Sequence, residues 1–207
     1  METDNKIKGI FFDFDGVITI EKNGTPTMVA YISEKMELPF EKVNAEYRKF
    51  NNDLLLGNIT HRDMWEQFCN AVCKDISYSI LEESFLNITL DQHMIKLIRE
   101  LKEKYYIGMI TDNKADRIEA LINNTELKDL FDFVVISANV HSQKTEEAIF
   151  KYVLKESGFK ADECIFIDNT GENLKIPDKM GFKTILFDDA NRNYEEVEKK
   201  VLGCKFI

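Results

Sequence analysis

The chain has 207 residues, 44% apolar and 31% charged, with 37 acidic against 27 basic side chains and a formal net charge of −10. That length fits one domain, or one domain carrying a smaller insert, and the apolar content supports a sizeable core. The acidic balance argues against nucleic acid or an anionic membrane as the main partner. It leaves room for a phosphate substrate, because a local cation and lysines can reverse the field at a site.

Residues 7–12 form a short apolar, β-branched and aromatic run that reads as a buried strand. Asp13, Phe14, Asp15 and Gly16 follow at once. Residues two apart on an extended segment share a face, so Asp13 and Asp15 project together while Phe14 turns back into the protein. Gly16 lets the chain leave sharply. This arrangement suits phosphoryl transfer: one carboxylate attacks phosphorus, its neighbour gives and takes a proton, and a cation offsets their repulsion.

Residues 19–27 read as a loop or small hairpin. A helical rhythm then runs to about residue 90, with helices over 28–36 and 41–55, a third capped by Thr60 with Asp63 at its third position, and a fourth near 78–85. This stretch contains no strand pattern and reads as an all-helical insert. From Gln92 helices and strands alternate: helix 94–104, strand 105–110, helix 115–122, strand 133–136, helix 145–157, strand 164–167, helix 174–180, strand 183–187 and helix 194–201. Such alternation predicts an α/β fold, a Rossmann-like parallel sheet with helices on both faces. Its core is residues 1–17 and 91–207, with the helical insert at 18–90.

The four cysteines, Cys69, Cys73, Cys164 and Cys204, form no Cys-x-x-Cys pair and read as reduced, mostly buried thiols. The polar Met1–Lys6 stretch does not read as a signal peptide, and no apolar run is long enough to cross a membrane. The expectation is a cytoplasmic protein.

Polar residues fall at the carboxyl ends of the strands, where such sheets bind ligands. They are Asp13 and Asp15, then Thr111, Asp112 and Asn113, then Asp168 and Asn169, with Lys144 before one helix. Their order, with the helical insert after the first group, resembles the haloacid dehalogenase-like superfamily, and the insert resembles its N-terminal cap. The resemblance covers the whole chain. It implies a Mg²⁺-dependent phosphatase acting on a small phosphorylated metabolite, with a sugar phosphate favoured, through an aspartyl-phosphate. Asp13 would be the nucleophile and Asp15 the acid and base. Thr111, Asp112 and Asn113 would hold phosphate, with backbone N–H groups at a helix start among the donors, and Lys144 would offset its charge. Asp13, the Asp15 carbonyl and Asp168 would hold the metal.

Two positions depart from the family pattern. Thr145 stands where a proline often follows the lysine. Asn169 stands where a second acid often follows the first, which lowers the expected metal affinity; Glu172 is a candidate substitute through a water, or simply a favourable acid in a helix first turn. His61, His93 and His141 lack metal-ligand spacing and read as structural or surface groups. Arg48, His61 and Arg62 are possible substrate contacts on faces that otherwise read as solvated. A phosphomutase of the same fold and a non-catalytic phosphometabolite-binding protein are the alternatives; Asp15 argues against dehalogenation, which needs no leaving-group acid. Assembly is expected to be a monomer or homodimer.

Overall fold

The structure, a computed structural model, describes residues 7–203. The expectations placed on Met1–Lys6 and Cys204 lie outside the described residues. Five parallel strands form one sheet in the order β3-β2-β1-β4-β5. They are β1 (Gly9–Phe12), β2 (Tyr106–Thr111), β3 (Phe133–Ile136), β4 (Cys164–Asp168) and β5 (Lys183–Leu186). The central strand is therefore the one that carries Asp13. Gly9 through Phe12 pair with Tyr106 through Met109 on one side and Cys164 through Ile167 on the other. The chain order reverses between β1 and β4, and the crevice outside the carboxyl ends at such a reversal is where open α/β sheets bind ligands.

Both sheet faces are covered, which is why the strands are apolar runs with no polar alternation. Ile10 and Phe12 pack with Ile107, Met109, Ile165 and Ile167 on one face, and Phe11 with Ile110 and Phe166 on the other. The covering helices are α5 (Gln92–Lys102), α6 (Ala115–Asn124), the single turn α7 (Ser137–Val140), α8 (Glu147–Ser157), α9 (Gly171–Met180) and α10 (Tyr194–Gly203). Their bounds depart from the sequence expectation by a few residues, most at α9, which starts at Gly171. The turn α7 lacks a periodic signature and is not anticipated.

Between β1 and α5 lie the four helices of the insert: α1 (Gly24–Met36), α2 (Phe40–Leu55), α3 (His61–Val72) and α4 (Tyr78–Leu86). Helix α1 starts four residues earlier than expected because Pro26 sits in its first turn, where the missing N–H is not needed. Thr60 and Asp63 form the reciprocal cap of α3. Met28, Ile32, Tyr47, Trp65, Phe68 and Phe85 belong to an apolar cluster of the insert's own. Cys69 is buried as expected, whereas Cys73 is exposed, because it occupies the left-handed position that ends α3 (φ 60°).

The two chain crossings between sheet and insert run side by side. Ile20 donates to the Thr89 carbonyl and Asp91 to the Ile18 carbonyl. Arg192 fastens this pair of linkers, donating to the Asp91 carboxylate and to the carbonyls of Gly16, Val17 and Thr19.

Candidate active site

The ends of β1, β2 and β4 converge on a cavity of about 660 Å³ closed on its far side by α1 and α2. Asp13 leaves β1 with its N–H still bonded to the Ile167 carbonyl at 2.8 Å, so the sheet itself fixes the residue. Lys144, from the turn between α7 and α8, places Nζ 2.7 Å from Asp13 Oδ1 and 2.7 Å from Asp168 Oδ2. All three are buried. Burial lifts the Asp13 carboxyl far above the ordinary carboxylate range, to about 8, against the pull of Lys144. Burial would lower Lys144, but Asp13 and Asp168 more than offset it and raise the ammonium above the ordinary lysine range.

Asp168 is fully enclosed. Its oxygens accept from Lys144 Nζ, the Thr170 N–H and Asn173 Nδ2. Asn169, the next residue, lines the cavity. Its Nδ2 donates to Asp189 at 2.9 Å, which leaves Oδ1 as an acceptor. Gly16 (φ +82°) passes beneath it, and a Cβ there would stand 2.3 Å from the Asn169 amide nitrogen. Glu172 is exposed and pairs with Lys175, away from the cavity wall.

The residues after β2 divide their tasks differently from the expectation. Thr111 is buried and lines the cavity, and its hydroxyl accepts from Asn113 Nδ2 at 3.3 Å. The Asp112 carboxylate accepts the Lys144 N–H at 3.0 Å and so holds the lysine's turn in place. The Asn113 N–H is taken by Ser137 Oγ at 3.0 Å, and α6 begins only at Ala115, so Asn113 is no free helix-start donor. Instead its side chain donates to Asp15 Oδ2 at 2.9 Å.

Asp15 has a second partner that the sequence does not announce. Arg117, 102 residues away, donates through both terminal nitrogens to both Asp15 oxygens, at 2.8 and 2.9 Å. Burial opposes ionisation, but Arg117, with Lys114 and Asn113, holds the Asp15 carboxyl below its ordinary range. Arg117 is itself buried, and its Nε has no hydrogen-bond partner. Gly24 makes room for it: a Cβ there would lie 2.3 Å from the guanidinium.

Next to Arg117, Asp116 ties the core to the insert. His61 Nδ1 lies 2.8 Å from both Asp116 oxygens and Nε2 lies 2.7 Å from Tyr47 Oη. Burial holds His61 below its ordinary value in spite of Asp116, so the neutral ring donates to Asp116 and accepts from Tyr47. His61 is thus a buried joint and not a solvated group. Arg48 lines the cavity, while Arg62 lies over the Tyr78 ring elsewhere on the insert.

The sequence pattern of haloacid dehalogenase-like hydrolases matches residues 10–187. The chain belongs to the haloacid dehalogenase-like hydrolase family. It is 28% identical over 218 residues to the bifunctional epoxide hydrolase 2 of Rattus norvegicus, covering 94% of this chain and 39% of that protein. The chain thus spans about two fifths of that relative's length. It is 21% identical over 191 residues to the D-ribitol-5-phosphate phosphatase of Bacteroides thetaiotaomicron, covering 86% of this chain and 90% of that protein. A solved haloacid dehalogenase family enzyme from the same bacterium, in complex with magnesium and inorganic phosphate, superposes with a TM-score of 0.75 at 18% identity over 92% of this chain and 98% of that one. That likeness establishes the shared fold.

Among the described residues no three His, Cys, Asp or Glu side chains are grouped as a ready metal cage. Mg²⁺ does not need one, since it keeps several waters and binds through one or two carboxylates together with substrate phosphate. The charge balance fits such an ion. Asp13 and Asp168 share one ammonium, and Asp112 accepts the main-chain N–H of the same lysine, while Asp15 is already neutralised by Arg117.

Proposed function

We propose that the protein is a Mg²⁺-dependent phosphatase of small phosphorylated metabolites, working in the cytoplasm through an aspartyl-phosphate on Asp13. The observation that carries this reading is the buried Asp13–Lys144–Asp168 row at the end of the central strand, with Asp15 beside it. The relatives that are phosphatases support it.

The ion would be held by the Asp13 carboxylate, the main-chain carbonyl of Asp15 and, just beyond β4, the side-chain oxygen of Asn169. We reassign Asp168, the expected ligand, to positioning Lys144, because its oxygens already accept from three donors and it does not line the cavity. When bound, Mg²⁺ supplies charge neutralisation for the transferring phosphoryl group. Thr111 and Lys144 would orient the phosphate oxygens. The Asp13 carboxylate attacks phosphorus, the ester P–O bond breaks, and Asp15 gives a proton to the leaving oxygen. Water then attacks the aspartyl-phosphate, loses a proton to Asp15 and releases phosphate. In the first half-reaction Arg117 must loosen its hold for Asp15 to carry a proton. In the second, the charged form that Arg117 favours is the form needed. Entry of substrate under the cap formed by α1–α4 is the event that would change this contact, since Gly24 packs on Arg117.

The cavity wall carries Asn23, Thr25, Asn44 and Asn51, a row of amides and a hydroxyl suited to a polyhydroxylated leaving group, and a sugar or polyol phosphate is the favoured substrate. A screen of phosphate esters with Mg²⁺, scored for phosphate release, tests the reading. Turnover that depends on both Mg²⁺ and Asp13 is expected. Isomeric sugar phosphates with no free phosphate would favour a mutase instead.

A further inference from the structure

The cavity holds more positive charge than the transferring phosphate requires. Lys144 is balanced by Asp13 and Asp168, and Lys22 pairs with Asp189 at 3.0 Å. Lys114 and Arg48 line the same cavity and have no ion-pair partner among the described residues. In a chain with ten more acids than bases, two cations facing one cavity, with no carboxylate at ion-pair distance among the described residues, are a feature to be explained.

Lys114 makes the stronger case. It is only 4% exposed. Lysine is almost never buried without a partner, because an uncompensated ammonium out of water is costly. One N–H reaches Thr25 Oγ1 on α1, and Thr25 in turn donates to Asn51 on α2. The Tyr47 ring lies 6.0 Å from Nζ. Burial and the nearby Arg117 lower the Lys114 ammonium to about 7 against the pull of Asp15 and Asp116; when charged it has three donors, so two remain beside the cavity. Arg48 comes from the opposite side, on the face of α2 that also presents Asn44 and Asn51. A neutral hydroxyl would accept a hydrogen bond from these groups but leave their charge unbalanced.

We propose that Lys114 and Arg48 form a second anion subsite, and that the leaving alcohol of the preferred substrate carries its own carboxylate or phosphate group. This rests on the phosphatase reading, since it takes the scissile phosphate to lie over Asp13. Lys114 would contribute from the core and Arg48 from the cap, so such a substrate would bridge the two parts and favour closure.

The test is calorimetric binding to the Asp13→Asn protein with Mg²⁺ present, so that nothing turns over. The probes are inorganic phosphate, sorbitol 6-phosphate, 6-phosphogluconate and fructose 1,6-bisphosphate. The second probe and the third differ in one terminal group, CH₂OH against carboxylate, and the fourth asks whether phosphate serves there. At least one doubly anionic ligand is expected to bind about tenfold or more tighter than sorbitol 6-phosphate. Arg48→Gln, on an exposed residue that the fold does not need, and Lys114→Met are each expected to shrink that ratio severalfold. A merely structural role for Lys114 would weaken all ligands alike and leave the ratio intact. Equal affinities for the neutral and both anionic ligands, or a ratio that survives both substitutions, would overturn the subsite. Failure of inorganic phosphate to bind would instead overturn the phosphatase reading on which it stands.

Discussion

Replacing Arg117 by Met keeps most of the side chain's reach and removes the charge that grips Asp15. The guanidinium makes two charge-assisted bonds of 2.8 and 2.9 Å, with its side chain 1% exposed and that of Asp15 17%. Removing one partner of a buried ion pair costs about 3–5 kcal/mol; the partial exposure of Asp15 brings the expected loss to about 2–4 kcal/mol. For a chain of this size that lowers Tm by roughly 4–16 °C. Because Asp15 titrates below its ordinary value of 3.8 in the folded protein, its contribution is present above that value and is lost as pH falls through the lower folded one. The gap between parent and variant should therefore close on acidification. Urea unfolding at neutral pH, thermal melts taken down into acid, and a double-mutant cycle with Asp15→Asn measure these effects. The cycle should return a coupling of about 1–3 kcal/mol. Single-variant losses that add to within about 0.5 kcal/mol, or a Tm gap unchanged in acid, would refute the clamp.

Lys144→Met leaves Asp13 and Asp168 facing each other in a buried site; turnover should vanish and stability fall by about 3–5 kcal/mol at neutral pH, read by urea unfolding. In the folded protein Asp13 is raised from 3.8 to about 8, so its contribution is full below pH 3.8 and is lost as pH rises towards 8. Asp13→Asn should accordingly gain in Tm over the parent as metal-free buffer is taken from mildly acidic to mildly basic pH; a constant gap would contradict the shift. Asn169→Asp adds a carboxylate at the cavity wall opposite Asp189, and should lower the Mg²⁺ concentration for half-maximal phosphate release while destabilising the metal-free protein. Glu172→Gln, whose target is an exposed acid paired with Lys175, should leave that midpoint in place.

The sheet was legible because each strand is a short apolar run ending in a polar turn, and burial on both faces leaves no other pattern available. Asp13, Thr111 and Asp168 followed from those ends, and Thr60 with Asp63 from cap chemistry. Arg117 was not legible: on a helix it looks like one more solvated base, and its partner lies 102 residues away. One local signal could have raised it. It sits in the first turn of α6, where the helix dipole disfavours a cation, so its position implies an acid outside the helix. Lys114 and Ser137 share the difficulty, since their bonds to Thr25 and to the Leu55 carbonyl form only once the insert folds back over the sheet. The role of Asn113 was misread because α6 starts two residues later than a helix-start donor would require.

Catalysis as proposed requires a covalent bond between Asp13 and phosphorus. Acid-quenching the protein during turnover of a phosphate ester with Mg²⁺, then mapping its peptides by mass, tests it directly. One added phosphoryl group is expected on the peptide containing Asp13, absent from Asp13→Asn and accumulating in Asp15→Asn. Steady phosphate release with no phosphorylated Asp13 peptide in either the parent or Asp15→Asn would contradict it.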